Sequence, residues 1–190
     1  GMEQLGELVD VKVMDFDGVV ALAERAHADL VIVGPEDPLS AGITDRLTAA
    51  GFRVFGPTAA AARLEGSKDF ANQLMANAGI ATSSSQTFDD PDAAKHYVRD
   101  CAYQVVIKAD GLAAGKGVTV CNDTTEAEAA IDRIMVDRAF GDAGVRIVVE
   151  ERMYGPEVSA HAFTDGVTIR HMPFSCDHKP VFDDNIGPNT

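Results

Sequence analysis

Cysteine is scarce in this chain and never closely paired: Cys101, Cys121 and Cys176 stand far apart, and no C-x-x-C occurs. That spacing excludes the usual thiolate zinc site. An odd number of thiols, with no signal-peptide pattern, implies reduced cysteines and a cytoplasmic location. No apolar run approaches the roughly 20 residues of a membrane-spanning helix, so no membrane association is expected. Basic residues are few as well, 16 Lys and Arg against 30 Asp and Glu, for a formal net charge of -14. An acidic surface disfavours nucleic acid and anionic membranes, whose phosphates attract cationic proteins. It leaves open a small anion held by a few local cations. At 190 residues, with 46% hydrophobic and 24% charged content, the chain has room for one ordinary domain or two small ones.

Two common phosphate-binding signatures are also missing. A Walker A loop needs four residues between its first Gly and a Gly-Lys-Ser/Thr. Here three residues separate Gly111 from Gly115, and Gly117 follows Lys116. No G-x-G-x-x-G follows the first apolar segment, so a dinucleotide fingerprint is unsupported.

What is present begins as alternating strand and helix signals. Residues 9–14 read as a strand, and Asp15 is placed to cap a helix over 16–27. The continuous apolar run at 30–33 predicts a strand covered on both faces. A helix over 38–50 ending at Gly51 and a strand over 52–55 complete a β-α-β-α-β pattern, which implies parallel strands. Ligands bind beyond the carboxyl ends of such strands, which puts Gly34-Pro35-Glu36 and Gly56-Pro57-Thr58 on one edge.

The pattern changes near Gly66. A short alanine-rich helix is followed by one capped by Ser67 and closed by Gly79, then a third from Asp89 or Asp90 to about residue 100. Strands are expected at 103–108, 117–121 and 145–151. Between the last two, a helix over 126–137 capped by Thr124 has an apolar stripe of Ala127, Ala130, Ile131, Ile134 and Met135. A hairpin over 157–171 should turn at Asp165-Gly166. The expected fold class is α/β: a partial parallel N-terminal domain (2–66), then an α+β region with a first lobe at 67–155 and the start of a second at 156–190.

Between the strands at 103–108 and 117–121 lies Lys108-Ala109-Asp110-Gly111-Leu112-Ala113-Ala114-Gly115-Lys116-Gly117. Gly111, Gly115 and Gly117 let backbone N–H groups approach phosphate oxygens closely, and Lys108 and Lys116 supply cations. Taken alone, the run reads equally as a glycine-rich hairpin with solvated lysines. Glu150-Glu151-Arg152-Met153 ends a strand and could offer backbone groups to a nucleobase, and Glu157 could accept from ribose hydroxyls. Alone, an acidic pair at a strand end is more often solvated.

In order, Ser67-Lys68, Lys108, the glycine loop, Glu150 to Met153 and Glu157 resemble the ATP-grasp superfamily. Further runs resemble its phosphoribosylamine–glycine ligase (glycinamide ribonucleotide synthetase) family. They are Val33-Gly34-Pro35-Glu36, Phe55-Gly56-Pro57-Thr58, Leu64-Glu65-Gly66-Ser67-Lys68, Ile107 through Gly117, Ala139-Phe140-Gly141-Asp142-Ala143-Gly144, Asp177-His178-Lys179 and Gly187-Pro188-Asn189-Thr190.

The resemblance implies an ATP-dependent ligase of purine biosynthesis that joins glycine to 5-phosphoribosylamine through an acyl phosphate, with no catalytic side-chain nucleophile. It implies that Lys68 and Lys108 meet the ATP phosphates or adenine region, and that Gly111 to Gly117, with Lys116, close over the triphosphate. Glu150, Glu151 and Met153 would serve the adenine edge, and Glu157 the ribose. Pro35, Glu36, Asp177, His178, Lys179, Pro188, Asn189 and Thr190 would line the substrate sites.

The family's Arg-Glu-His loop after the first strand and its magnesium-holding Glu and Asn have no counterpart here. Magnesium ligands are therefore expected outside this chain, and the chain reads as a fragment incomplete for catalysis. A non-catalytic nucleotide-binding or structural fragment, or another ATP-grasp ligase, is the alternative.

Overall fold

A computed structural model describes residues 4–113, 115–176, 180–182 and 186–189. The chain divides into two units, Gly1–Arg152 and Met153–Thr190.

The first unit opens without the expected strand. Residues 9–14 make only local backbone bonds, Val11 N to Val9 O at 3.0 Å and Asp15 N to Lys12 O at 2.9 Å. A strand needs a neighbouring edge to pair its backbone groups, and among the described residues none pairs with this segment. Helix α1 (Phe16–Arg25) then starts where its cap predicts, with Asp15 accepting from Gly18 N. The parallel sheet is one pair, β1 (Val31–Ile32) with β2 (Val54–Phe55). It is not covered on both faces, because Ile32 is 68% and Phe55 46% exposed. The single helix expected over 38–50 is two, α2 (Glu36–Ser40) and α3 (Ile43–Ala49). Gly42, at φ 95°, breaks the run. Val20, Ala23, Leu39, Ile43 and Leu47 form a small core under these helices with Ala62 of α4 (Ala59–Gly66).

Beyond α4 the chain builds a four-stranded antiparallel sheet. Its strands are β3 (Ser85–Phe88), β4 (Val105–Ala109), β5 (Val118–Val120) and β6 (Ile147–Glu151), in the order β3-β6-β4-β5. Strand β3 was not expected from the sequence. Helix α5 (Lys68–Asn77) starts at Ser67, whose hydroxyl accepts from Phe70 N, and α6 (Pro91–Asp100) starts at Asp90. Helix α7 (Thr124–Ile131) is capped by Asp123, not Thr124. The carboxylate one residue earlier accepts from Glu126 N at 2.9 Å. A π-helical turn at Asp132–Val136 continues α7 and keeps the predicted stripe buried.

Strand alternation decides what faces what. Val105, Ile107 and Ala109 of β4 and Ile147 and Val149 of β6 pack with α6 and α7 into the main core. Val106 and Lys108 lie on the other face. Register places Val106 opposite Glu150 and Val120, and Lys108 opposite Val148 and Val118.

In the second unit, β7 (Ala162–Thr164) pairs antiparallel with β8 (Ile169–His171), a shorter hairpin than expected. It turns where predicted: Asp165 Oδ1 accepts from Val167 N and Thr168 N, and Gly166 has φ 90°. A further antiparallel pair is β9 (Pro180–Phe182) with β10 (Ile186–Asn189). Among the described residues no helix is long and apolar enough to cross a membrane.

Candidate nucleotide site

The face of the sheet away from α6 and α7 carries the polar groups. Lys108 Nζ lies 2.5 Å from Glu150 Oε2. Glu150, 9% exposed, also accepts from Ser83 Oγ and from Asn72 Nδ2, each at 3.4 Å. The acid at the strand end is thus the counter-ion of the lysine on the next strand. Beside the pair, Val118 and Val120 are 45% and 50% exposed. They form an apolar shelf on the same face.

Lys68 reaches the end of β4 from the first turn of α5. Its ammonium donates to the carbonyls of Asp110, at 3.4 Å, and Gly111, at 3.3 Å. Burial lowers its pKa; the charges of Asp110, Glu65 and Glu150 oppose that, and Lys108 adds to it. Lys68 Nζ thus sits at the carbonyls that directly follow β4, the strand that carries Lys108.

The three glycines of the loop serve different ends. Gly111 donates its N–H to Ala143 O at 3.3 Å, and a Cβ there would lie 2.9 Å from Ala143 Cα. Its glycine is needed for close backbone packing, and its N–H is not available to a phosphate in this arrangement. A Cβ on Gly117 would meet Ala113 Cβ at 2.7 Å and Ala109 Cβ at 3.0 Å, while Gly117 O accepts from Ala109 N at 2.8 Å. Gly115 has φ 72° and open space around its α-carbon. It is the turn residue, next to the exposed Lys116.

The remaining candidate residues are more dispersed. Glu151 donates its backbone N–H to Ser84 O at 2.8 Å, so only its carbonyl is left to meet a nucleobase edge. Met153 and Glu157 belong to the second unit, where both are exposed. In the first unit, Pro35 precedes α2 in extended conformation and Glu36 is its first residue, both exposed. Pro188 and Asn189 fall in β10. Asp177, His178, Lys179 and Thr190 lie outside the described residues.

Sequence reasoning passed over Asp69, Asp110 and Arg146. Asp110 is 6% exposed, and its carboxylate accepts from Ser67 Oγ, Asp69 N and Arg146. Burial alone would raise its pKa; the Asp69 amide, Arg146 and Ser67 outweigh it and hold the carboxyl below its usual range. The available signal was a charged residue immediately after a strand with buried, alternating apolar positions.

An antiparallel sheet backed by α6 and α7, with a glycine-rich hairpin between β4 and β5, is the architecture of an ATP-grasp domain. The family model of the phosphoribosylglycinamide synthetase N domain matches residues 1–65, and that of the ATP-grasp (A) domain matches residues 66–190. The chain belongs to the phosphoribosylglycinamide synthetase family.

It is 50% identical over 188 residues to phosphoribosylamine–glycine ligase of Rhodopirellula baltica, covering 96% of this chain and 43% of that protein. It is 52% identical over 180 residues to the same-named protein of Xylella fastidiosa, covering 95% and 41%. The crystal structure of phosphoribosylamine–glycine ligase from Thermotoga maritima superposes with a TM-score of 0.67 at 34% identity, over 73% of this chain and 35% of that one. The chain thus spans less than half the length of these relatives.

Proposed function

We propose that this chain carries the ATP-binding lobe of a cytoplasmic, ATP-dependent carboxylate–amine ligase, which joins glycine to 5-phosphoribosylamine in purine biosynthesis. The observation that supports it best is that Lys68 Nζ reaches the Asp110 and Gly111 carbonyls at the base of the glycine loop, directly after the strand that carries Lys108. Each charge-assisted hydrogen bond to a phosphate oxygen contributes roughly 1.5–3 kcal/mol, so two lysines suffice for appreciable affinity in an otherwise acidic chain.

In this reading Lys68, Lys108 and Lys116 hold the polyphosphate, with Gly115 and Gly117 shaping the loop around it. Gly111 sets the loop's base, and Glu150 orients Lys108. The shelf of Val118 and Val120 receives the apolar face of adenine, the Glu151 carbonyl and the Met153 backbone meet its edge, and Glu157 holds the ribose. Pro35, Glu36, Asp177, His178, Lys179, Pro188, Asn189 and Thr190 serve glycine and 5-phosphoribosylamine. The glycine carboxylate attacks the γ-phosphate, and the amine of phosphoribosylamine then displaces phosphate from the acyl phosphate, giving glycinamide ribonucleotide and ADP. Phosphorylation is needed because a free carboxylate is too poor an electrophile for amide formation. The protein's part is positioning and charge stabilisation.

Among the described residues no three acidic, imidazole or thiol groups cluster as a metal site. The lysines are the groups assigned to the phosphates. Calorimetric titration with ATP and ADP tests the reading. Saturable heat that disappears in Lys68→Met and Lys108→Met is expected, and no heat with the parent chain refutes it.

A further inference from the structure

The Asp110 carboxylate joins segments far apart in sequence. Oδ1 accepts from Ser67 Oγ at 3.1 Å and Asp69 N at 2.8 Å. Oδ2 accepts from Arg146 Nε at 3.0 Å and Nη2 at 2.5 Å, and from Ser67 Oγ at 3.3 Å. Arg146 also stands 3.6 Å from Asp69 Oδ2, and the Thr87 hydroxyl donates to Asp69 Oδ1 at 2.7 Å. The start of α5, the end of β4, the approach to β6 and strand β3 are thereby closed into one ring. The main chain completes it: Asp110 N donates to Arg146 O at 3.0 Å, and Lys68 N donates to Asp110 O at 3.3 Å.

This ring surrounds one functional group. Lys68 is the residue between Ser67 and Asp69, both of which bind the carboxylate. Its Nζ is left pointing at the carbonyls of Asp110 and Gly111. A strut that merely tied α5 to the sheet would not need to aim an ammonium at the root of the glycine loop. Lys108, two residues earlier on β4, is held separately by Glu150.

We propose that Asp110, locked by Arg146, is a positioning residue that sets the Lys68 ammonium beside Lys108 for the polyphosphate of a bound nucleoside triphosphate. The inference rests on the nucleotide reading above. Asp110 never touches the ligand; it acts through the first turn of α5. Its negative charge also favours the charged form of Lys68, opposing burial and Lys108.

The test has two arms, of which one needs no nucleotide. Lysine side chains labelled with carbon-13 at Cε are followed by NMR through a pH titration in the parent chain, Asp110→Asn and Arg146→Lys. Lys68 is expected to titrate at lower pH in Asp110→Asn, while Lys108 keeps its parental curve. A Lys68 curve unchanged by Asp110→Asn, or an equal shift of both lysines, overturns the proposal. In the second arm ATP affinity is measured by calorimetry. Asp110→Asn is expected to bind about tenfold more weakly, the loss of one charge-assisted contact. Asp110→Asn with Lys68→Met should bind no more weakly than Lys68→Met alone. Additive losses would mean that Asp110 acts independently of Lys68. If Asp110→Asn does not fold, Ser67→Ala, which removes one donor to the same carboxylate, is expected to shift Lys68 in the same direction by less. If the parent chain gives no heat with ATP, the nucleotide reading falls, while the lysine titration still decides the positioning claim.

Discussion

Lys108 and Glu150 sit diagonally across adjacent antiparallel strands, Nζ to Oε2 at 2.5 Å, with side chains only 26% and 11% exposed. The pair is shielded enough that removing one member leaves the other without its counter-charge. Lys108→Met is expected to destabilise the chain by about 1–3 kcal/mol in urea denaturation and to weaken ATP binding. Adding Glu150→Gln should restore most of the stability and none of the affinity. Recovery of affinity in the double variant would show that Lys108 serves the fold alone.

Asp110 makes stability depend on acidity. Its folded-state pKa lies below the ordinary 3.8. Between those values the unfolded chain binds more protons than the folded one, so stability rises with pH across the window and is complete above it. Denaturation midpoints measured from pH 6 downward should fall as pH drops through 3.8 and below. Asp110→Asn should show a shallower acid limb, and an identical limb would refute the assignment.

Lys68 gives the same sign of pH dependence from the opposite cause, a charge that burial disfavours. Burial lowers its pKa from 10.5. The unfolded chain holds more protons just below that value, so stability rises as pH climbs through the window toward 10.5, and at neutral pH the buried ammonium is a liability. Lys68→Met is expected to raise Tm at pH 7 while reducing ATP affinity. A lower Tm would indicate that its bonds to the Asp110 and Gly111 carbonyls outweigh the burial.

The loop glycines separate sterics from backbone conformation. Gly117→Ala must displace Ala113 or Ala109, since its new Cβ would sit 2.7 Å and 3.0 Å from theirs. Gly115→Ala meets open space but must hold φ at 72°, a penalty of about 1–2 kcal/mol. Calorimetric unfolding should show both variants destabilised. Gly117→Ala should lose more ATP affinity, because it shifts the strand end that carries Lys108. Equal affinity in the two variants would argue against a built loop.

Local signals carried much of this fold. Asp15, Ser67 and Asp90 cap the helices they announce, because a short polar side chain before an apolar stripe is enough to satisfy the first free amides. Strand pairing was less legible. Residues 9–14 have strand composition but no partner edge among the described residues, while Ser85-Gln86-Thr87-Phe88 is mostly polar yet becomes a strand because β6 offers its backbone. The same limit applied to the site. Lys68, Lys108 and the glycine run stood out by residue type and order. The Asp110–Arg146 clamp spans 36 positions and that from Asp110 to Ser67 spans 43, and no local pattern records a contact of that reach.

The alternation in β4 also restricts how this segment can change length in evolution. Ile107 faces the helices and Lys108 faces the opposite way. One residue inserted or deleted within the strand would send the lysine into the core and an isoleucine into the open. Length changes within β4 must therefore come in pairs of residues if Lys108 is to keep its face, which makes this short strand the ruler against which the other strands of the sheet are aligned.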